Sequence, residues 1–295
     1  MEFSQSLPRA LAAVGLAAAL SLNMASAQPA KQTAKEPAKA EAKAKAKAQA
    51  EEFVPQSGQA GKDVVWVPTP QALVDRMLDM ARVTKDDYVI DLGSGDGRTV
   101  ITAGKRGVKA KGIEYNPDMV ALSKRNAEKE GVTNVEFVRG DIFESNFTDA
   151  TVITLFLLPS LNVRLRPILL DMKPGTRVVS NSFDMGDWTP DEQIQAGGDC
   201  SAWCRASFWV IPAKVEGVWQ TPIGEMKLEQ KYQMVSGTLK IGEATAPVTG
   251  KLVGADIVLA AGRNIFTGKV DGAKMEGTVT DSGKESKWTV TRGAK

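Results

Sequence analysis

Asp91, Glu114 and Asp141 share one setting. Each ends or closes a short apolar run, at 88–93, 110–116 and 135–141, and glycines follow the first acid at every second position: Gly93, Gly95 and Gly97. A glycine turn between a strand and a helix lets a ligand approach the backbone, because no Cβ intrudes. Ligands of open parallel sheets bind at the carboxyl ends of the strands. Three successive strand ends therefore offer an acid to one ligand. Arg98 stands where a dinucleotide fingerprint would put its third glycine, so the turn is not that motif. Asp91 and Asp96 would repel a pyrophosphate and suit a nucleoside with a cationic end, such as a sulfonium carrying an amino-acid ammonium. Glu114 is placed to accept both ribose hydroxyls. Asp141 is placed to accept from an adenine amino group, with a helix cap as its competing role. Ser94, Tyr115 and Ile142 belong to the same three turns.

Composition narrows the rest. The chain has no histidine, which removes histidine bases, triads and metal ligands. A net charge of +2 does not mark a nucleic-acid binder. Cys200 and Cys204 cannot make a zinc site alone, so no metal is read; in an exported protein they form a disulfide, otherwise two free thiols.

The elements that must position the acids alternate. Helical spacing runs over 71–83, 97–106, 117–131 and 161–172, the last interrupted or offset by Pro167. Strands are predicted at 88–93, 110–116, 135–141, 151–159, 173–183 and 205–213. Repeated strand–helix units imply an α/β fold, a Rossmann-like parallel sheet with helices on both faces. This domain spans 62–212. Beyond it, 213–295 reads as a small antiparallel β domain, a sandwich or partly closed barrel, with an x-Gly-x fragment recurring at Gly237, Gly250, Gly268 and Gly277. Trp188, Trp203, Trp209 and Trp219 read as packing residues rather than a binding platform.

Ahead of the sheet, Arg9, an apolar run at 10–24 and a small-residue site ending at Ala27 give 1–27 the layout of a signal peptide. Residues 28–61, rich in Ala and Lys, read as a solvated, disordered tether. The expected location is periplasmic or secreted. The lysines that follow the apolar run, from Lys31 to Lys47, favour the alternative, an uncleaved anchor with the enzyme in the cytoplasm. Membrane contact is expected only through 1–61. Oligomeric state is left open.

The glycine turn and the two following acids resemble the class I S-adenosylmethionine-dependent methyltransferases. More narrowly, V-P-T-P at 67–70, D-L-G-S-G-D-G-R at 91–98, G-I-E-Y-N-P at 112–117 and T-L-F-L-L-P at 154–159 are similar to segments of the archaeal protein lysine methyltransferases and of the mitochondrial enzymes that methylate the c-ring protein of ATP synthase. The resemblance covers 66 to about 190. It implies S-adenosyl-L-methionine as cofactor, a seven-stranded sheet with a final antiparallel strand, and methyl transfer to protein lysines. It also implies that Pro68, Thr69 and Pro70 help close the cofactor site, and that Leu155, Phe156, Leu157, Leu158 and Pro159 lie at the mouth where donor meets amine. The family's V-S-H-x-F pattern is here Val179, Ser180, Asn181, Ser182 and Phe183. Asn181 is thus a substrate-side residue whose departure from histidine bears on substrate choice. Rival readings are a small-molecule methyltransferase and an exported, inactive binding protein of the same fold. No catalytic base is assigned.

Overall fold

The computed structural model describes residues 53–198 and 200–293. The signal-peptide reading of 1–27 and most of the tether lie outside the described residues.

The α/β part alternates as its hydrophobic periods require. Helix α1 (Gln71–Met80) precedes β1 (Tyr88–Leu92), α2 (Arg98–Lys105), β2 (Lys109–Glu114), α3 (Pro117–Lys129) and β3 (Val135–Arg139). Then follow β4 (Val152–Leu155), α4 (Pro159–Leu170), β5 (Arg177–Asn181), β6 (Glu192–Gln195) and β7 (Arg205–Val210). The seven strands order as β3-β2-β1-β4-β5-β7-β6. Strands β1 to β5 pair in parallel, β7 runs antiparallel to β5, and β6 runs antiparallel to β7. Strands β1, β4 and β5 are buried on both faces, as a doubly covered sheet demands.

Local chemistry sets the boundaries. Asn116 caps α3 with its side chain, accepting from the Asp118 N–H at 2.9 Å, and Pro117 takes the first turn. The apolar segment at 151–159 yields a shorter strand than its composition predicts, because Pro159 opens α4 and the chain turns away after Leu155. Pro167 does not break α4. The helix starts two residues earlier than its spacing predicts and runs through the proline, with Leu165 and Leu169 fully buried. β6 is short, polar and mostly exposed, so no period marked it in the sequence.

The C-terminal strands close completely, which corrects the reading of a sandwich or partly closed barrel. Strands β8 (Gly217–Thr221), β9 (Gly224–Lys231), β10 (Met234–Ile241), β11 (Ala244–Val253), β12 (Asp256–Ala261), β13 (Asn264–Asp271), β14 (Lys274–Asp281) and β15 (Lys284–Arg292) form an eight-stranded antiparallel meander. Arg292 of β15 pairs with Trp219 of β8 to shut the ring. Alternate residues, among them Trp219, Leu228, Leu252 and Phe266, fill the interior. The recurring glycines have a steric cause. A Cβ at Gly237 would lie 2.0 Å from the Lys227 carbonyl oxygen, and one at Gly277 would lie 1.9 Å from that of Thr267. Only glycine permits the close strand approach of so tight a curve.

Barrel and sheet share a seam. The Trp188 indole N–H donates to Gln233 Oε1 at 2.8 Å, and the Trp188 ring stacks on Tyr232. Trp188, Trp209 and Trp219 are fully buried packing residues, as expected; Trp203 is 45% exposed and departs from that reading.

Candidate active site

The sheet order turns three separate acids into a row. Asp141, Glu114 and Asp91 stand at the carboxyl edges of β3, β2 and β1, which are adjacent. They line a cleft enclosing about 1050 Å³, part of it open solvent. Continuing across the same edge, β4 delivers Leu155, Phe156 and Leu157. One end of the cleft is therefore acidic and the other apolar.

Glu114 locks the glycine turn. Its carboxylate accepts from the Gly95 N–H at 3.0 Å and from the Asn116 N–H at 2.8 Å. A carboxylate has about four acceptor positions, so two remain for a diol. Replacing Glu114 by alanine should weaken S-adenosylmethionine and S-adenosylhomocysteine about equally, by roughly ten- to a hundredfold. Calorimetric titration of both ligands checks this; an unchanged affinity removes the ribose assignment.

Asp91 is buried, and Thr154 across the β1–β4 pair donates to it at 2.6 Å. Burial pushes its carboxyl up to about 7 against that hydrogen bond, and the nearby Glu114 and Asp96 charges push the same way. A cation in the cleft would relieve this. Asp96, read as part of the ligand-facing charge, lines the cleft and is paired there with Arg98 at 2.6 Å. Arg98 also donates to the Thr69 carbonyl at 2.9 Å, tying the glycine turn to the segment ahead of α1.

That segment is the main feature missed in the sequence. Residues 59–69 line the cleft, so the last part of the expected tether is folded. The Trp66 N–H donates to the Gln59 carbonyl and the Gly58 N–H to the Trp66 carbonyl, at 2.9 and 2.7 Å. The Trp66 ring abuts Gly95, where a Cβ would fall 2.6 Å from its Nε1. Lys62 pairs with Asp141 and lies over the Tyr115 ring at 4.7 Å. The Lys62 hydrogen bond, followed by that of the Phe143 N–H, holds the Asp141 carboxyl below its ordinary range. Asp141 is thus no simple helix cap. The apolar run at 64–67 beside a charged tail was the available signal.

The other predicted residues separate by position. Gly93, Ser94, Gly95, Tyr115, Ile142, Pro68 and Thr69 line the cleft with the three acids. Ser94 turns its hydroxyl inward against Gly112, so the cleft sees its backbone. Gly97 packs instead against Phe137 and Ser123, at φ 83° as the cap of α2. Pro70 caps α1 outside the lining. Leu158 and Pro159 do not line the cleft, Leu158 being 38% exposed. Asn181 is fully buried and does not line the cleft; its Nδ2 donates to Thr69 Oγ1 at 3.2 Å. It meets the cleft lining only through that bond to Thr69. Cys200 and Cys204 are joined as a disulfide.

A seven-stranded sheet of this order, with a glycine turn and strand-end acids around a half-acidic, half-apolar cleft, defines an S-adenosylmethionine-dependent methyltransferase of class I. The comparisons narrow this. The chain matches the family model of the ANTKMT methyltransferase domain over residues 91–192. It is 47% identical over 136 residues to a protein-lysine N-methyltransferase of Saccharolobus islandicus, covering 45% of this chain and 84% of that one. It is 32% identical over 139 residues to the adenine nucleotide translocase lysine N-methyltransferase of Mus musculus, covering 46% of this chain and 60% of that one. A solved Salinibacter ruber structure, described as an RNA methyltransferase with S-adenosyl-L-homocysteine, is 49% identical, covering 50% of this chain and 96% of that one at a TM-score of 0.47. The chain belongs to the protein-lysine N-methyltransferase family, whose cofactor is S-adenosyl-L-methionine.

Proposed function

We propose that this chain methylates the ε-amino group of lysine side chains in a protein substrate, and that it does so outside the cytoplasm. The polarity of the cleft carries the first part. Acids at β3, β2 and β1 suit a cationic nucleoside, which leaves the apolar edge at β4 for the acceptor.

The cofactor, when bound, supplies an already activated methyl group on a sulfonium. The chain's own residues do the rest. Glu114 and Asp141 hold the nucleoside end, and the ionised Asp91 balances positive charge at the amino-acid end. Trp66, Pro68 and Thr69 cover the glycine turn and exclude water. Alignment of donor and acceptor can contribute several kcal/mol to lowering the barrier. A lysine ammonium, with an ordinary pKa of about 10.4, has no free lone pair. The apolar wall of Leu155, Phe156 and Leu157 disfavours the charged form by desolvation, so the ammonium gives its proton to solvent at the open mouth and the neutral amine is the species held against the methyl.

The test is incubation of the purified chain with isotopically labelled S-adenosylmethionine and a pool of lysine-containing peptides of random flanking sequence. Mass spectrometry should place the label on lysine Nε. Label on small amines alone would point to a small-molecule acceptor, and cofactor binding with no transfer would favour an inactive binding protein.

The apolar run at 10–24 with its small-residue end at Ala27 supports export, as does the Cys200–Cys204 disulfide. The mature protein from a bacterial periplasmic fraction should begin at Gln28. A chain that retains Met1 and stays with the inner membrane would support the anchored alternative.

A further inference from the structure

Three aromatic rings from separate loops meet at the apolar end of the cleft. Phe156 follows β4 and lines the cleft. Phe183 follows β5 and stacks on Phe156 with ring centroids 6.1 Å apart. Trp203 lies 5.7 Å from each. The topology explains the meeting. β7 is antiparallel to β5 and β6 is antiparallel to β7, so the β6–β7 connection returns to the same sheet edge as the carboxyl ends of β4 and β5.

Trp203 is the unusual member. The other tryptophans of the sheet, Trp188 and Trp209, are fully buried, whereas Trp203 is 45% exposed. Its backbone sits at φ 57°, in the left-handed region that a bulky residue seldom adopts. The Cys200–Cys204 disulfide closes the loop around it, and the Ala196 N–H donates to the Cys204 carbonyl at 2.7 Å. A constrained loop thus holds a large ring outward, and neither half of the disulfide nor Trp203 falls within the matched family domain at 91–192.

We propose that Phe156, Phe183 and Trp203 form a landing ledge for the acceptor lysine, with Trp203, presented by the disulfide loop, setting affinity for the peptide. The inference rests on the lysine reading above. The rings touch one another, so a cation does not sit between them. Instead the lysine stem lies along their exposed faces, where the quadrupole of Trp203 attracts the ammonium until desolvation beside Phe156 favours the neutral amine. The ledge continues the apolar wall of the cleft through Phe156, while Glu114 and Asp141 line the opposite, acidic end. That asymmetry fixes the occupant as the acceptor rather than the donor.

Steady-state kinetics on a methylated member of the peptide pool test the ledge. Trp203→Ala should raise KM for the peptide about five- to tenfold, with kcat and the affinity for S-adenosylhomocysteine held. Trp203→Phe should recover most of the loss. Cys200→Ser with Cys204→Ser should reproduce the Trp203→Ala effect on KM. An unchanged KM in Trp203→Ala overturns the ledge and leaves lysine methylation standing. A joint fall in kcat and cofactor affinity also overturns it, because the ring would then be supporting the fold. If the wild-type chain labels no lysine in the pool, the reading of lysine methylation fails first and the ledge with it.

Discussion

A Gly95→Arg chain folds but binds no S-adenosylmethionine. Gly95 sits at φ 54°, where glycine is tolerated and other residues are strained by roughly 1 kcal/mol or more. Its N–H is given to Glu114 at 3.0 Å. A Cβ there would fall 2.6 Å from Trp66 Nε1, so the indole must leave before any side chain fits. Arginine therefore disturbs the turn, the ribose acid and the covering segment together, and fills the space between them. Calorimetry should show at least a hundredfold loss of affinity. The melting temperature should fall by only a few degrees, since Gly95 lies at the cleft and not in an apolar core cluster. Retained binding would place the ligand elsewhere.

Asp91→Asn should separate stability from binding. The Asp91 carboxyl titrates at about 7 in the folded chain against an ordinary value of 3.8, chiefly because burial disfavours its charge. A raised carboxyl binds more protons in the folded state than in the unfolded state. Its contribution is therefore intact below the unfolded value and is lost as pH rises through about 7. At pH 8 the wild-type chain bears an ionised, buried acid at a cost on the order of a few kcal/mol. Asparagine keeps an acceptor for Thr154 and removes that cost, so the variant should melt higher than wild type at pH 8 and about equally near pH 4. Cofactor affinity should move the other way, falling about a hundredfold at pH 8, because a cationic ligand loses its counter-charge. In the wild type, affinity should climb with pH up to about 7, with a proton released on binding below it. A variant that is neither stabilised at pH 8 nor weakened in binding would show that Asp91 is neither strained nor used.

Much of this was legible because the determinants are local. A strand, a glycine turn and an acid are contiguous, so Asp91, Gly93, Gly95 and Glu114 could be read one unit at a time, and the parallel order then forces them together. The covering segment was not legible: Lys62 pairs with Asp141 and the Trp66 ring abuts Gly95, both distant in sequence, and the charge of Lys62 resembles that of the tail before it. Asn181 looked like a site residue because it stands where the resembling family has histidine, yet the sheet buries it and its side chain bonds Thr69 and Ser182. Gly97 shares the spacing of its neighbours but spends its missing Cβ on Phe137 and Ser123. Barrel closure was hidden because β15 meets β8 across the whole C-terminal region, and no short-range pattern records which end strands pair. β6 has too few apolar residues to show a period at all.

The central claim is that the row of strand-end acids holds S-adenosylmethionine. Calorimetric titration of the purified chain with S-adenosylmethionine, and with NAD in a parallel cell, tests it most directly. Micromolar binding of S-adenosylmethionine with no heat from NAD is the predicted result. No binding of S-adenosylmethionine by folded protein, or comparable binding of NAD, would contradict it.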